Sequence, residues 1–269
     1  MRDSLPYKTI AVATTFSPRF KHVLAEAKRI RDRFGAELHL IYVGRRNEET
    51  SRKFSDVLAE LELPADSPIH YEEGDPAEAI LAALARENID MLVAGALEKE
   101  IVLHPFLGNV ARRLVREANC SVMLFTHPQK KPKPLRRIVF IADHPQQGLV
   151  ALKTTLMLAE AEACERLYVI GIITAFDEAR ASIAGDATPN HGEEDPLEEF
   201  VLSAGATEVP IETRSIRGAT GLAASDFVRS VEAGLLVVPL PKSRGTVQQL
   251  PSNIAWVSDV IPCNLWIVR

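Results

Sequence analysis

Two glycines thirteen residues apart, Gly95 and Gly108, are the residues of this 269-residue chain best placed to do chemistry. Gly95 closes the apolar stretch MLVAG, and Gly108 stands directly before Asn109, Val110 and a helical pattern that runs to Arg116. Glycine at a strand tip lets backbone N–H groups approach a phosphate closely. A helix N-terminus adds unpaired donors and about half a positive charge. Asn109 contributes a side-chain amide able to donate to a phosphate oxygen. The spacing therefore points to an anion cradle. Glu98 lies between the glycines. A carboxylate about 6 Å from a phosphate charge repels it by about 3 kcal/mol at an effective dielectric of about 20, which is about a hundredfold in affinity. If Glu98 turns outward and Lys99 inward, that repulsion disappears, and the sequence leaves both arrangements open.

Other chemistries find less support. The histidines, His22, His39, His70, His104, His127, His144 and His191, form no i,i+4 pair and have no carboxylate beside them at metal-ligand spacing. No metal site is expected. His104 falls in the connection between the two glycines and is the one histidine positioned to cover the cradle. Cys120, Cys164 and Cys263 lie far apart without a C-x-x-C, which reads as buried thiols. No G-x-S-x-G, cysteine–histidine pair or supported carboxylate dyad occurs, so no catalytic residue is assigned. A net charge of −5 argues against nonspecific nucleic-acid binding. The N-terminal MRDSLPYKTI lacks an apolar signal region, and no apolar run approaches the length of a membrane span. A cytoplasmic location is expected, with neither nucleic acid nor membrane as a partner.

The cradle needs strands and helices to hold it. Lys8 to Ala13 (KTIAVA) has the length of a buried strand, and Thr14 follows it. Ser17 is placed to cap a helix with Pro18 at its first position and Val23, Ala27, Ile30 and Phe34 on its inner face; Gly35 would end it. Leu38 to Val43 is a second strand, Glu48 to Leu61 an amphipathic helix, and the polar Pro68 to Glu72 suits a sheet edge. Asp75 caps a helix with Pro76 at its start and Ile80, Leu81 and Leu84 inward. Ser121 to Phe125 is a closing strand. Strands and helices alternating in this way imply right-handed crossovers and a parallel sheet covered on both faces.

The same order returns. Pro239, Ser252 and Asn253 stand 144 positions after Gly95, Gly108 and Asn109, and Cys263 follows Cys120 by 143. RRIVFIAD parallels YKTIAVAT, setting Ala142 and Asp143 opposite Ala13 and Thr14 at an offset of 129. Residues inserted mainly between 174 and 196 account for the growth of that offset, and this polar stretch is expected to be a long loop. A helix near 197–204, strands near 209–215 and 235–238, and a helix near 223–231 complete the second copy. THPQKKPKPL, with three prolines and three lysines, reads as a semi-rigid linker. The expected division is 1–127, a linker at 128–135, and 136–269.

A glycine at the tip of strand four, a second one opening the last helix, and Gly74-Asp75-Pro76-Ala77 at the third crossover together resemble the universal stress protein family. The resemblance recurs once per half, as in the tandem members. It implies an α/β fold of two tandem, doubly wound, five-stranded parallel sheets in the order 3-2-1-4-5, Rossmann-like and similar to the adenine nucleotide alpha hydrolases. Many members bind ATP through G-x2-G-x9-G followed by Ser or Thr. Here the first half reads Gly95-x2-Glu98-x9-Gly108-Asn109, and the second reads Pro239, Lys242, Ser252, Asn253. The family's aspartate at the end of strand one is Thr14 in the first half and Asp143 in the second.

The resemblance thus implies ATP or another adenine nucleotide as cofactor. The candidate contacts are Ala13, Thr14, Val43, Gly95, Gly108, Asn109 and Val110, with Asp143 in the other half. Three functions follow: a nucleotide-binding stress or regulatory module, a ligand-free scaffold working through protein contacts, or a slow ATPase. The closing strands, Ser121 to Phe125 and Asn264 to Val268, are expected to meet within one chain as a built-in pseudo-dimer, because unpaired apolar edges invite association. A homodimer of such chains is a further expectation.

Overall fold

Every apolar run identified above becomes a strand of one sheet. The computed structural model describes residues 6–96, 107–142, 145–174, 179, 196–218, 220–241, 255–258 and 261–269. Its first half runs β1 (Thr9–Thr14), α1 (Phe20–Phe34), β2 (Glu37–Val43), α2 (Glu48–Glu60), β3 (Ile69–Glu72), α3 (Pro76–Arg86), β4 (Met91–Gly95), α4 (Asn109–Glu117) and β5 (Ser121–Phe125). The second runs β6 (Arg137–Ile141), α5 (Pro145–Ala161), β7 (Arg166–Ile173), α6 (Pro196–Ser203), β8 (Ile211–Arg217), α7 (Thr220–Ser230) and β9 (Leu235–Pro239). A 3-10 turn (Ala255–Ser258) and β10 (Asn264–Val268) complete it.

The strand order is β3-β2-β1-β4-β5-β10-β9-β6-β7-β8. Each half follows 3-2-1-4-5 and pairs in parallel throughout. The halves do not form separate sheets, which corrects the expected pair of five-stranded sheets. β5 and β10 pair antiparallel, Leu124 with Leu265, Met123 with Trp266 and Val122 with Ile267, and join the halves into ten strands. The meeting of these two strands within one chain is as expected. The physical reason is that both are apolar on both faces, so solvent exposure of either edge would cost far more than pairing it. β3, the outermost strand of the first half, is only partly buried along its length, as its polar composition anticipates.

Helices cover both faces. α1, α2, α5 and α6 bury Val12, Leu40, Val93 and Phe140 on one side; α3, α4 and α7 bury Ala11, Ile41, Leu92 and Leu236 on the other. Trp266, fully buried in the seam strand, lies 6.2 Å from the ring of Tyr7 and 6.0 Å from that of Phe34, so a second-half side chain completes a first-half aromatic cluster.

Polar groups fasten the same seam. Asn264 accepts from the Thr126 backbone N–H at 3.0 Å and donates to the Gly234 carbonyl at 2.9 Å. The carboxylate of Glu162, wholly enclosed, accepts from Leu135 N–H at 2.8 Å, from Arg33 Nε at 2.7 Å and from Arg29. Arg29 also donates to Glu26 at 2.8 Å, and Glu26 accepts from the Gln129 N–H at 3.2 Å. Burial raises the Glu26 carboxyl pKa, against the opposing pull of Arg29. The segment around 128–135, which has no regular structure, is thereby tied to α1 and to the end of α5.

Local signals decided most boundaries. Gly35 adopts φ 63° at the end of α1, and its N–H returns to the Arg31 carbonyl. Asp75 accepts from Glu78 N–H with Pro76 behind it, and Asn47 with Thr50 forms a reciprocal cap on α2. Ser17 is not a helix cap: its carbonyl accepts from Phe20 N–H at 3.0 Å in a preceding turn, and α1 begins only at Phe20 after Arg19. Pro18 is spent in that turn. Gly74 and Gly218, 144 positions apart, both hold positive φ, and so do Asn88 and Glu232 at the same interval.

Candidate functional site

The strand order reverses between β1 and β4, since the chain moves from β1 outward to β3 and then returns to the other side. In an open parallel sheet, ligand crevices form beyond the carboxyl ends of strands at such a reversal. Ile10 pairs with Met91 and Val12 with Val93. One further pleat sets Thr14 beside Gly95.

Gly95 is exposed at the end of β4, in extended backbone. It is not among the positive-φ glycines. A Cβ there would lie 3.3 Å from Cγ2 of Val23 on α1, so the missing side chain lets α1 close on the strand tip. Ala96 N–H then bonds to the Phe125 carbonyl at 3.0 Å, and the Ala96 carbonyl accepts from Gly108 N–H at 3.3 Å. This second bond brings the start of α4 to the strand end.

Gly108 is the N-terminal flanking residue of α4, with φ −61° and ψ 157°. Among the described residues no side chain caps the helix, and its first turn contains no acidic residue. The opening N–H groups of a helix have no partner inside it, so Asn109, Val110 and Ala111 present donors and the positive end of the helix dipole toward the crevice. Asn109 is exposed, and Val110 is partly buried. Ala13, Val43 and Val110 pack as partly buried residues on the apolar layer formed by Ile41, Ala94, Ala96 and Ala111. The crevice thus combines an apolar margin with a dipolar anion site.

Two groups fix α4. Arg113 donates to Asp75 at 2.8 Å and to Glu117 at 3.2 Å, tying its flank to the cap of α3. Arg269, beyond β10, donates to the Val115 carbonyl at 2.6 Å and so satisfies the far end of the helix. Burial pulls the Arg269 guanidinium down to about 10. A second-half residue therefore positions the first-half site, which no local spacing could reveal.

Thr14 is turned away from the crevice. It is buried, and its hydroxyl donates to the Ile41 carbonyl at 3.0 Å. The structure brings Ala13, Val43, Gly95, Gly108, Asn109 and Val110 to one end of the sheet. Asp143, Glu98, His104, Lys242, Ser252 and Asn253 lie outside the described residues.

The corresponding end of the second half differs. β9 ends on Pro239, beside Val268, and Leu240 N–H bonds to the Val268 carbonyl at 2.8 Å. Of the stretch equivalent to the nine-residue α4, the described residues Ala255–Ser258 form a 3-10 turn. Trp256 of that turn covers Gly221: a Cβ on the glycine would be 2.6 Å from the indole.

Among the described residues, no group of three or more histidine, cysteine or acidic side chains is arranged to hold a metal ion, and no helix is long and apolar enough to cross a membrane.

The model of the universal stress protein family matches residues 6–126. A universal stress protein of Thermus aquaticus is 30% identical over 135 residues, spanning 44% of this chain and 98% of that protein. A functionally unknown protein of Pseudomonas aeruginosa superposes with a TM-score of 0.73 at 14% identity, over 99% of this chain and 94% of that one. A universal stress protein of Archaeoglobus fulgidus gives a TM-score of 0.66 at 16% identity, over 99% of both chains. At these identities the two superpositions speak for the fold.

Proposed function

The chain belongs to the universal stress protein family, and from that premise we propose that it is a stress-response regulator whose first half holds ATP or another adenine nucleotide. The observation that supports this reading most is the uncapped start of α4, tied by the Gly108–Ala96 hydrogen bond to the carboxyl end of β4 at the strand-order reversal. Phosphates would lie against the N–H groups of Asn109 to Ala111 with the Asn109 amide beside them. The base and ribose would lie along the apolar margin of Ala13 and Val43. No catalytic step is part of the proposal.

The second half is read as a copy of the same unit that has lost its anion site, with boundaries at 1–127 and 136–269. Its strand order, the repeated positive-φ positions and the 144-residue interval support duplication. The pairing of β5 with β10 then makes each chain its own pseudo-dimer in the cytoplasm.

Calorimetric titration with ATP and with AMP tests the nucleotide reading. The expected result is one site per chain, weakened at least a hundredfold in Gly108→Trp, whose indole would fill the space in front of α4, with unchanged circular dichroism. No heat at millimolar nucleotide would favour a scaffold working through protein contacts. One observation already favours that second reading: the hydroxyl of Thr14 is committed to the Ile41 carbonyl and offers nothing to a ligand.

A further inference from the structure

His39 and His70 are 31 positions apart in sequence, but the parallel register of β2 with β3 sets Ile41 against His70, and His39 lies two residues before Ile41 on the same face of the sheet. Nδ1 of His39 faces Nε2 of His70 at 3.1 Å, with ring centroids 5.2 Å apart and planes 26° from parallel. Two nitrogens facing this closely cannot both carry a proton there. Either one donates to the other, or something else lies between them.

We propose that His39 and His70 form a two-histidine site for a first-row divalent transition-metal ion, with Glu87 as the outer carboxylate and solvent in the remaining positions. A tetrahedral ion with metal–nitrogen bonds of about 2.0–2.1 Å holds its two nitrogens about 3.3 Å apart, so the present separation needs only a small opening. Behind the pair, Nδ1 of His70 lies 3.5 Å from Oε1 of Glu87. A carboxylate on the side of the far nitrogen favours a proton there, and so the tautomer that leaves the near nitrogen free to bind metal. Arg86 Nε holds the same carboxylate oxygen at 2.8 Å, which orients it.

The surroundings favour a cation bound to neutral imidazole. Glu87 is the C-terminal cap of α3, where the helix dipole is negative. His39 is itself partly buried. β3 is the outermost strand of its half, and the side chains of His70 and Glu87 remain 14% and 28% exposed, which leaves a route from solvent. Imidazole nitrogen selects copper, nickel, cobalt and zinc over magnesium. The site is remote from the crevice at β1 and β4, since β2 and β3 begin the ladder at their amino ends here, and its occupation does not depend on the nucleotide reading.

The test is calorimetric titration of the purified chain, near neutral pH, with Cu(II), Ni(II), Co(II), Zn(II) and Mg(II), supported by the visible spectrum of the Co(II) form. Wild-type protein is expected to bind one equivalent of Zn(II) or Cu(II) and no Mg(II). His39→Gln and His70→Gln should each weaken binding at least tenfold, and Glu87→Gln about tenfold to a hundredfold. His22→Gln should leave it unchanged. Melting of each variant without metal checks folding. A purely structural histidine pair would lower that melting point in His39→Gln and His70→Gln while leaving metal affinity at the wild-type value, and this result would overturn the proposal. Absence of binding below millimolar metal, or equal binding of Mg(II), would overturn it too.

Discussion

Gly95 and Pro239 end equivalent strands of one continuous sheet, yet the residues that close them differ. Beyond Gly95 the backbone closes through Ala96 and Gly108 onto an uncapped nine-residue helix. Past Pro239, the described residues include a 3-10 turn whose Trp256 lies on Gly221. The strand order and parallel pairing are alike in both halves. One strand order thus accommodates glycine at the tip in one half and proline in the other. Proline has no N–H and fills with a ring the place where glycine leaves backbone open. A helix of nine residues can orient its dipole at a ligand.

The largest expected effect concerns whether the halves can differ in function while sharing a core. Trp266→Ala removes a fully buried indole that packs on Tyr7 and Phe34 across the seam. It should cost about 3–5 kcal/mol and lower one cooperative unfolding transition. Denaturation followed by two probes checks this, and two separate transitions with only the second shifted would make the halves independent. Next, Glu162→Gln removes the enclosed carboxylate that Arg33 and Arg29 share, leaving Arg29 with Glu26 alone. A loss of about 3 kcal/mol is expected, measurable by the same denaturation.

A smaller effect is expected at the second-half strand tip. Pro239→Gly places a glycine there but leaves Ser252 where the first half has Gly108, so nucleotide stoichiometry should stay at one per chain. A rise to two would reduce the contrast between the halves to a single ring. The smallest effect is the pH response of His39. Because burial lowers its folded pKa, the folded chain binds fewer protons than the unfolded chain as pH falls below about 6.5. Its contribution to stability is therefore full above that value and is lost on acidification. The melting midpoint should fall between pH 7 and pH 5 in the wild type, and less steeply in His39→Gln.

Much of this architecture was legible in the sequence because local signals coincided with tertiary demands. Ser121–Phe125 is the strand its unbroken apolar run predicts. Asp75 with Pro76 and Gly35 mark helix ends by mechanisms that act within a few residues. Ser17 misled because a serine followed by proline fits a turn as well as a cap. The join into one sheet was anticipated from two apolar edges, but a continuous ten-stranded sheet is a consequence of long-range pairing that periodicity does not encode. Arg269 reaching Val115, and His39 meeting His70, depend on register between strands and on the seam. Of the candidate site, the spacing singles out Gly95, Gly108 and Asn109, and the fold sets them at one end of the sheet. The inward turn of the Thr14 hydroxyl was not legible, since a threonine at a strand end reads the same whether it faces a ligand or a carbonyl.

The central claim is that nucleotide occupies the crevice of the first half and leaves that of the second empty. Photoaffinity labelling with an azido-adenine triphosphate, followed by peptide mapping, addresses it directly. The account predicts ATP-protectable label on peptides from residues 13–43 and 91–116. Protectable label on residues 239–261 instead would contradict it.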